Sequence, residues 1–117
     1  MKIGIISNNY EGPVAKALEQ VYKALTGGEI ERISMAEFQP QYVSQKSLDA
    51  LLIEGRNNSD EGFAIAVRRN TPDTTKICYF RIYHTSSSQE LQEHNIHVLN
   101  ILDGDLREKF TNWMGGS

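Results

Sequence analysis

The chain has 117 residues, 39% of them hydrophobic, which suits one domain with a single core and argues against disorder. A formal net charge of −3, with no basic run longer than Arg68-Arg69, leaves no electrostatic footprint for nucleic acid or an acidic membrane. No apolar stretch approaches the length of a membrane span, and Met1-Lys2-Ile3 leads straight into a strand pattern rather than a signal peptide. Cys78 is the single cysteine, so no internal disulfide can form, and its apolar neighbours mark it as a reduced core thiol in a cytoplasmic protein.

The first predicted strand runs from Lys2 to Ile6. A helix follows, with Pro13 near its start, where the missing N–H costs nothing, and with Val14, Leu18, Val21 and Leu25 at helical spacing before Gly27-Gly28 stops it. Strand two covers Glu29 to Ser34. Pro40 breaks the next stretch, so only a short or irregular second helix is expected there. Strand three is Ala50 to Ile53, ending on Glu54. Helix three is expected to begin near Asp60 as N-cap and to turn Phe63, Ala66 and Val67 inward. Strand four, Lys76 to Tyr83, is rich in aromatic and β-branched residues, and strand five spans Ile96 to Ile101. A last helix from Leu106 to Trp113 has Asp105 and Glu108 at capping-box spacing and a stripe of Leu106, Phe110 and Trp113.

Alternating strands and helices imply right-handed βαβ crossovers and an α/β three-layer sandwich, with five parallel strands in the order 2-1-3-4-5. The link between strands four and five is only long enough for a turn or two, so the fourth helix is expected to be short or absent. Strand alternation places Tyr79, Arg81 and Tyr83 on the face that this thin link covers, and Cys78, Phe80 and Ile82 on the other. Residues 1–114 form one domain, and 115–117, Gly-Gly-Ser, read as a linker or added tail.

In such sheets chemistry sits beyond the carboxyl ends of the strands. Those ends offer Ser7 and Asn8, Glu54, Thr85 and Asn100. KIGIISNN, DALLIE, the Glu61-Gly62-Phe63 triplet with its glycine eight residues past Glu54, Thr85 and VLNI together resemble the receiver domain of bacterial response regulators over nearly the whole chain. The resemblance implies where an acidic magnesium-binding pair, a phospho-accepting aspartate, a hydroxyl residue and a lysine followed by a cis-proline would stand. Ser7 and Asn8 replace the acidic pair, Glu54 the aspartate, Asn100 the lysine and Ile101 the proline; Thr85 is kept. Magnesium wants carboxylate ligands, and phosphoryl transfer needs cations to neutralise developing charge. The expected chemistry is therefore a pseudo-receiver: the fold kept, phosphorylation lost, no catalytic residue, no metal and no cofactor.

Glu54 then has two readings. It either supplies a permanent negative charge where a phosphoryl group would sit, bonded by Thr85 or Asn100, or it is a solvated carboxylate at a strand end. His94 and His97 have metal-pair spacing but no third ligand, and the loop from Ser7 to Gly12 lacks a phosphate-binding glycine pattern and carries Glu11. Ser86-Ser87-Ser88 reads as a turn, with no base placed to activate it. The expected function is a non-enzymatic, two-component-like signalling domain that dimerises or docks a protein partner through Arg81, Tyr83, His84, His97 and Lys109. The alternative is a small-ligand or redox-cofactor sensor, with a pocket beside strand four between Tyr79, Tyr83 and the Ser86 to Gln92 segment.

Overall fold

A computed structural model describes residues 2–8, 12–27, 29–83 and 89–115. Its elements in chain order are β1 (Ile3–Ser7), α1 (Gly12–Thr26), β2 (Ile30–Ser34), α2 (Tyr42–Gln45), β3 (Ala50–Gly55), α3 (Ser59–Arg69), β4 (Lys76–Arg81), α4 (Gln89–Glu93), β5 (His97–Asn100) and α5 (Leu106–Gly115). All strand pairs are parallel, in the order β2-β1-β3-β4-β5. The three-layer α/β sandwich, its strand order and the short fourth helix agree with the sequence reading.

The two faces of the sheet carry separate cores. Ile3, Ile5, Ala50, Leu52, Cys78, Phe80 and Leu99 pack on Leu18 and Tyr22 of α1 and Phe110 of α5. Ile6, Leu51, Ile53, Ile77 and Tyr79 pack on Ala64, Ile65 and Val67 of α3 and on Leu91 of α4. The period of two in each strand produces this split, because successive side chains cross the sheet. The three central strands, β1, β3 and β4, are buried almost throughout, as a sheet covered on both faces requires. Leu91, fully buried, is the main plug that the one-turn α4 offers.

Several local expectations are corrected. The inward stripe of α1 runs through Ala15, Leu18 and Tyr22, and Val14 in its first turn is 59% exposed. In α3 Ala64, Ile65 and Val67 turn inward while Ala66 faces solvent. Asp60 does not cap α3: the helix opens at Ser59 after Asn58, and the Asp60 carboxylate accepts the backbone N–H of Arg56 at 2.8 Å, tying down the loop before it. β4 stops at Arg81, since Ile82 N–H turns to the carbonyl of Gly55 and Tyr83 leaves the ladder. The last helix takes in Gly115, two residues past the expected end at Trp113.

Candidate functional site

β3 continues two residues beyond the expected end, pairing Glu54 with Phe80 and Gly55 with Arg81. Glu54 is thus an in-strand residue, and alternation turns its side chain to the face covered by α1. It is 0% exposed. Tyr22 donates its hydroxyl to Glu54 Oε1 at 2.6 Å, and Arg56 donates Nε to Glu54 Oε2 at 2.6 Å. Tyr22 is itself fully buried, its ring edge-on to Phe80 with centroids 5.4 Å apart. The reading of Glu54 as a solvated carboxylate therefore fails, and of the two partners expected for a permanent charge only Asn100 can be compared, since Thr85 lies outside the described residues. The Glu54 oxygens are taken by Tyr22 and Arg56 rather than offered to Asn100.

More polar groups gather on the same face. Ser7, 0% exposed, accepts from Arg32 Nη2 at 3.4 Å, and Arg32 Nη1 lies 3.9 Å from Glu19 of α1. Two carboxylates and two guanidiniums leave the cluster formally neutral, the condition under which buried charge is tolerated. Burial, then the Glu54 carboxylate, push the Tyr22 phenol far above its usual range, so Tyr22 remains a donor at any physiological pH.

The parallel register places Ser7 of β1 alongside Glu54 of β3, because Ile6 pairs with Ile53. Asn8, next in the chain, is exposed. Asn100 lies two strands from β3, at the level of Gly55 through Arg81, and its backbone N–H is held by Asp103 Oδ2 at 3.1 Å. Thr85 and His84 lie outside the described residues. Among the described residues no three His, Cys, Asp or Glu side chains are grouped to hold a metal, and no helix is long and apolar enough to cross a membrane.

On the opposite face, the space over the end of β3 is filled by aromatics. Tyr79 lies across Gly55, where an added Cβ would meet the ring's Cζ at 2.1 Å; only glycine leaves room for it. Tyr83 donates to Glu61 Oε2, and the single Tyr79 proton goes either to the Tyr83 oxygen at 3.0 Å or to the carbonyl of Asn57 at 3.3 Å. Burial, reinforced by Glu61, pushes the Tyr83 phenol up to about 12. Of the expected interface residues, Arg81 is only 4% exposed, with its guanidinium 5.7 Å from the Tyr83 ring centroid. His97 is half-buried and stacked on Trp113, centroids 5.8 Å apart and planes 7° from parallel. Lys109 pairs with Asp103 at 3.3 Å and Asp105 at 3.5 Å, and the Asp103 carboxylate raises its pKa.

Tyr22, Arg32 and Arg56 escaped the sequence reading. A tyrosine four residues after Leu18 on an otherwise aliphatic stripe was the available signal for the first; nothing in the sequence pairs Arg56 with Glu54 or Arg32 with Ser7 and Glu19.

No protein-family model and no curated protein matches the chain. Its fold is similar to part of the crystal structure of the Francisella novicida lysine decarboxylase LdcF, with a TM-score of 0.57 and 16% sequence identity over 98% of this chain. The chain spans only 18% of the length of that enzyme, and at this identity the likeness concerns the fold.

Proposed function

We propose that the chain is a non-enzymatic, receiver-like domain of the cytoplasm that works by protein–protein contact and has lost aspartyl phosphorylation. The observation that carries this reading is the state of Glu54: the carboxylate at the position of the phospho-acceptor is sealed from solvent and held by Tyr22 and Arg56. A nucleophile must reach its phosphoryl donor in line, and errors of about 1 Å already cost roughly a hundredfold in rate. Ser7 and Asn8 bring no carboxylate for magnesium, and Asn100 no ammonium for the developing charge. The contact surface we infer is the one around β4, β5 and α5. Tyr83, His97 and Lys109 retain partial exposure there, while Arg81 acts from beneath. The decarboxylase likeness fits a module role in one respect: a fold of this size there makes up a small part of a much longer chain.

Intact-mass measurement after incubation with acetyl phosphate and magnesium tests the first half. No adduct is expected, and a stoichiometric phosphoryl adduct on Glu54 would refute the reading. Sedimentation velocity over a concentration series tests the second half. A reversible dimer weakened by Lys109→Glu is expected; a dimer indifferent to that change would move the contact elsewhere.

A further inference from the structure

A second polar site lies under the opposite edge of the sheet. A cleft of about 340 Å³ opens beneath the amino ends of β4 and β5, with Arg68, Asp73, Lys76, Asn95, His97 and Trp113 in its lining. Five residue steps of β4 separate it from the Gly55 level, about 17 Å at the usual rise per residue.

Arg68 is 5% exposed. Its Nη1 donates to the carbonyls of Thr75 at 2.9 Å and Asn95 at 3.3 Å, and its Nη2 to that of Pro72. Its Nε has no acceptor. Among the described residues no carboxylate lies within ion-pair distance of it: its hydrogen-bond partners are neutral carbonyls, and Asp73 acts on it only from farther off. Buried charge normally carries an opposite charge beside it. Lys76 Nζ donates to the carbonyls of Trp113 at 3.1 Å and Met114 at 2.6 Å, leaving one of its three N–H groups unspent. Asp73 is the one carboxylate of the lining, so two cations face one anion. His97 Nε2 is a second buried nitrogen without a partner, on a ring that closes one wall with Trp113.

We propose that this cleft binds a small oxyanion, a phosphate or carboxylate group, seated between Arg68 and Lys76. The anion completes the compensation that the carbonyls begin, and the arginine is positioned before it arrives, since three carbonyls hold the guanidinium. The site borders the contact surface proposed above, sharing His97 with it, and is independent of the Glu54 cluster.

The test is a titration of the ¹⁵N-labelled full chain with inorganic phosphate at constant ionic strength, followed by sodium acetate in a separate arm. Saturable shifts are expected at the Arg68 Nε–H, the Trp113 indole and the Lys76 and Asn95 amides. Saturation with phosphate identifies a phosphate site, and saturation with acetate alone a carboxylate site; either upholds the proposal. Asp73→Asn removes the lining's one negative charge and is expected to tighten binding, and Lys76→Gln to weaken it, each by roughly fivefold. Linear, dispersed shifts in both arms, or an affinity that neither substitution changes, would overturn it.

Discussion

The two ends of the sheet treat buried charge in opposite ways. At the carboxyl end Glu54 is fully buried and matched, with a phenol on one oxygen and a guanidinium on the other. At the amino end Arg68 is nearly as buried, and among the described residues its hydrogen bonds go to carbonyls, with Asp73 acting from farther off across an open cleft. The strand end where sheets of this kind customarily hold chemistry is the closed one, and the opposite end is open. A fold's customary site is thus no guide to where a particular chain keeps room for a ligand; the compensation of each buried charge is the better guide.

The largest effect that would break this contrast is removal of the matched charge. Glu54→Ala leaves the buried Tyr22 hydroxyl without its acceptor and opens a void beside it. It is expected to destabilise the fold by about 4 kcal/mol in urea unfolding. Glu54→Gln can still accept from Tyr22 while Arg56, whose side chain is 26% exposed, turns to water, so about 2 kcal/mol is expected. If Glu54→Ala were neutral, the carboxylate would not be the matched partner described here.

Gly55→Ala ranks next. The added methyl meets the Tyr79 ring, which is held by Asn57, Tyr83 and the core and has nowhere to go. A loss of about 3 kcal/mol is expected, at the upper end of ordinary overpacking. Tyr79→Leu should cancel part of it in a double-mutant cycle; strict additivity would mean that the ring does not lie over Gly55. Tyr22→Phe follows at about 2 kcal/mol, the scale of one hydrogen bond to a charged group, with packing against Phe80 retained.

These residues also mark how far the sequence could be read. The strand order, the layers and the short α4 follow from hydrophobic periods and loop lengths, which are local quantities. Which face of β3 Glu54 takes depends on where the strand ends. That was set by two ladder pairs, Glu54 with Phe80 and Gly55 with Arg81, that no local pattern announces. Tyr22 looked like one more helix residue because its partner lies 32 positions away. Separation along the chain also hid the Arg68 cleft: an arginine in the last turn of a helix reads as a solvated complement to the helix dipole, until the carbonyl of Asn95, 27 positions on, joins that of Thr75 around it.

The smallest expected effect sharpens the open side of the comparison. Burial, and then the nearby Lys109 ammonium, hold the His97 imidazole below its usual pKa in the folded chain. In the unfolded chain it titrates near 6.5. As pH falls through that value the unfolded state takes up a proton that the folded state refuses, so stability declines with falling pH and levels off once the folded pKa is passed. The charged groups nearest the ring come from α5 and from the cleft lining. Lys109 of α5, paired with Asp103, opposes protonation directly, and Lys76 of β4, Arg68 of α3 and Asp73 in the loop before β4 share the cleft with the ring. His97→Phe should keep the stack on Trp113 and flatten the pH dependence of the urea midpoint below about pH 6.5. Saturating phosphate should flatten it as well, because an anion in the cleft offsets the cations that keep the ring neutral. An unchanged slope in the His97→Phe protein would show that another group governs the acid limb.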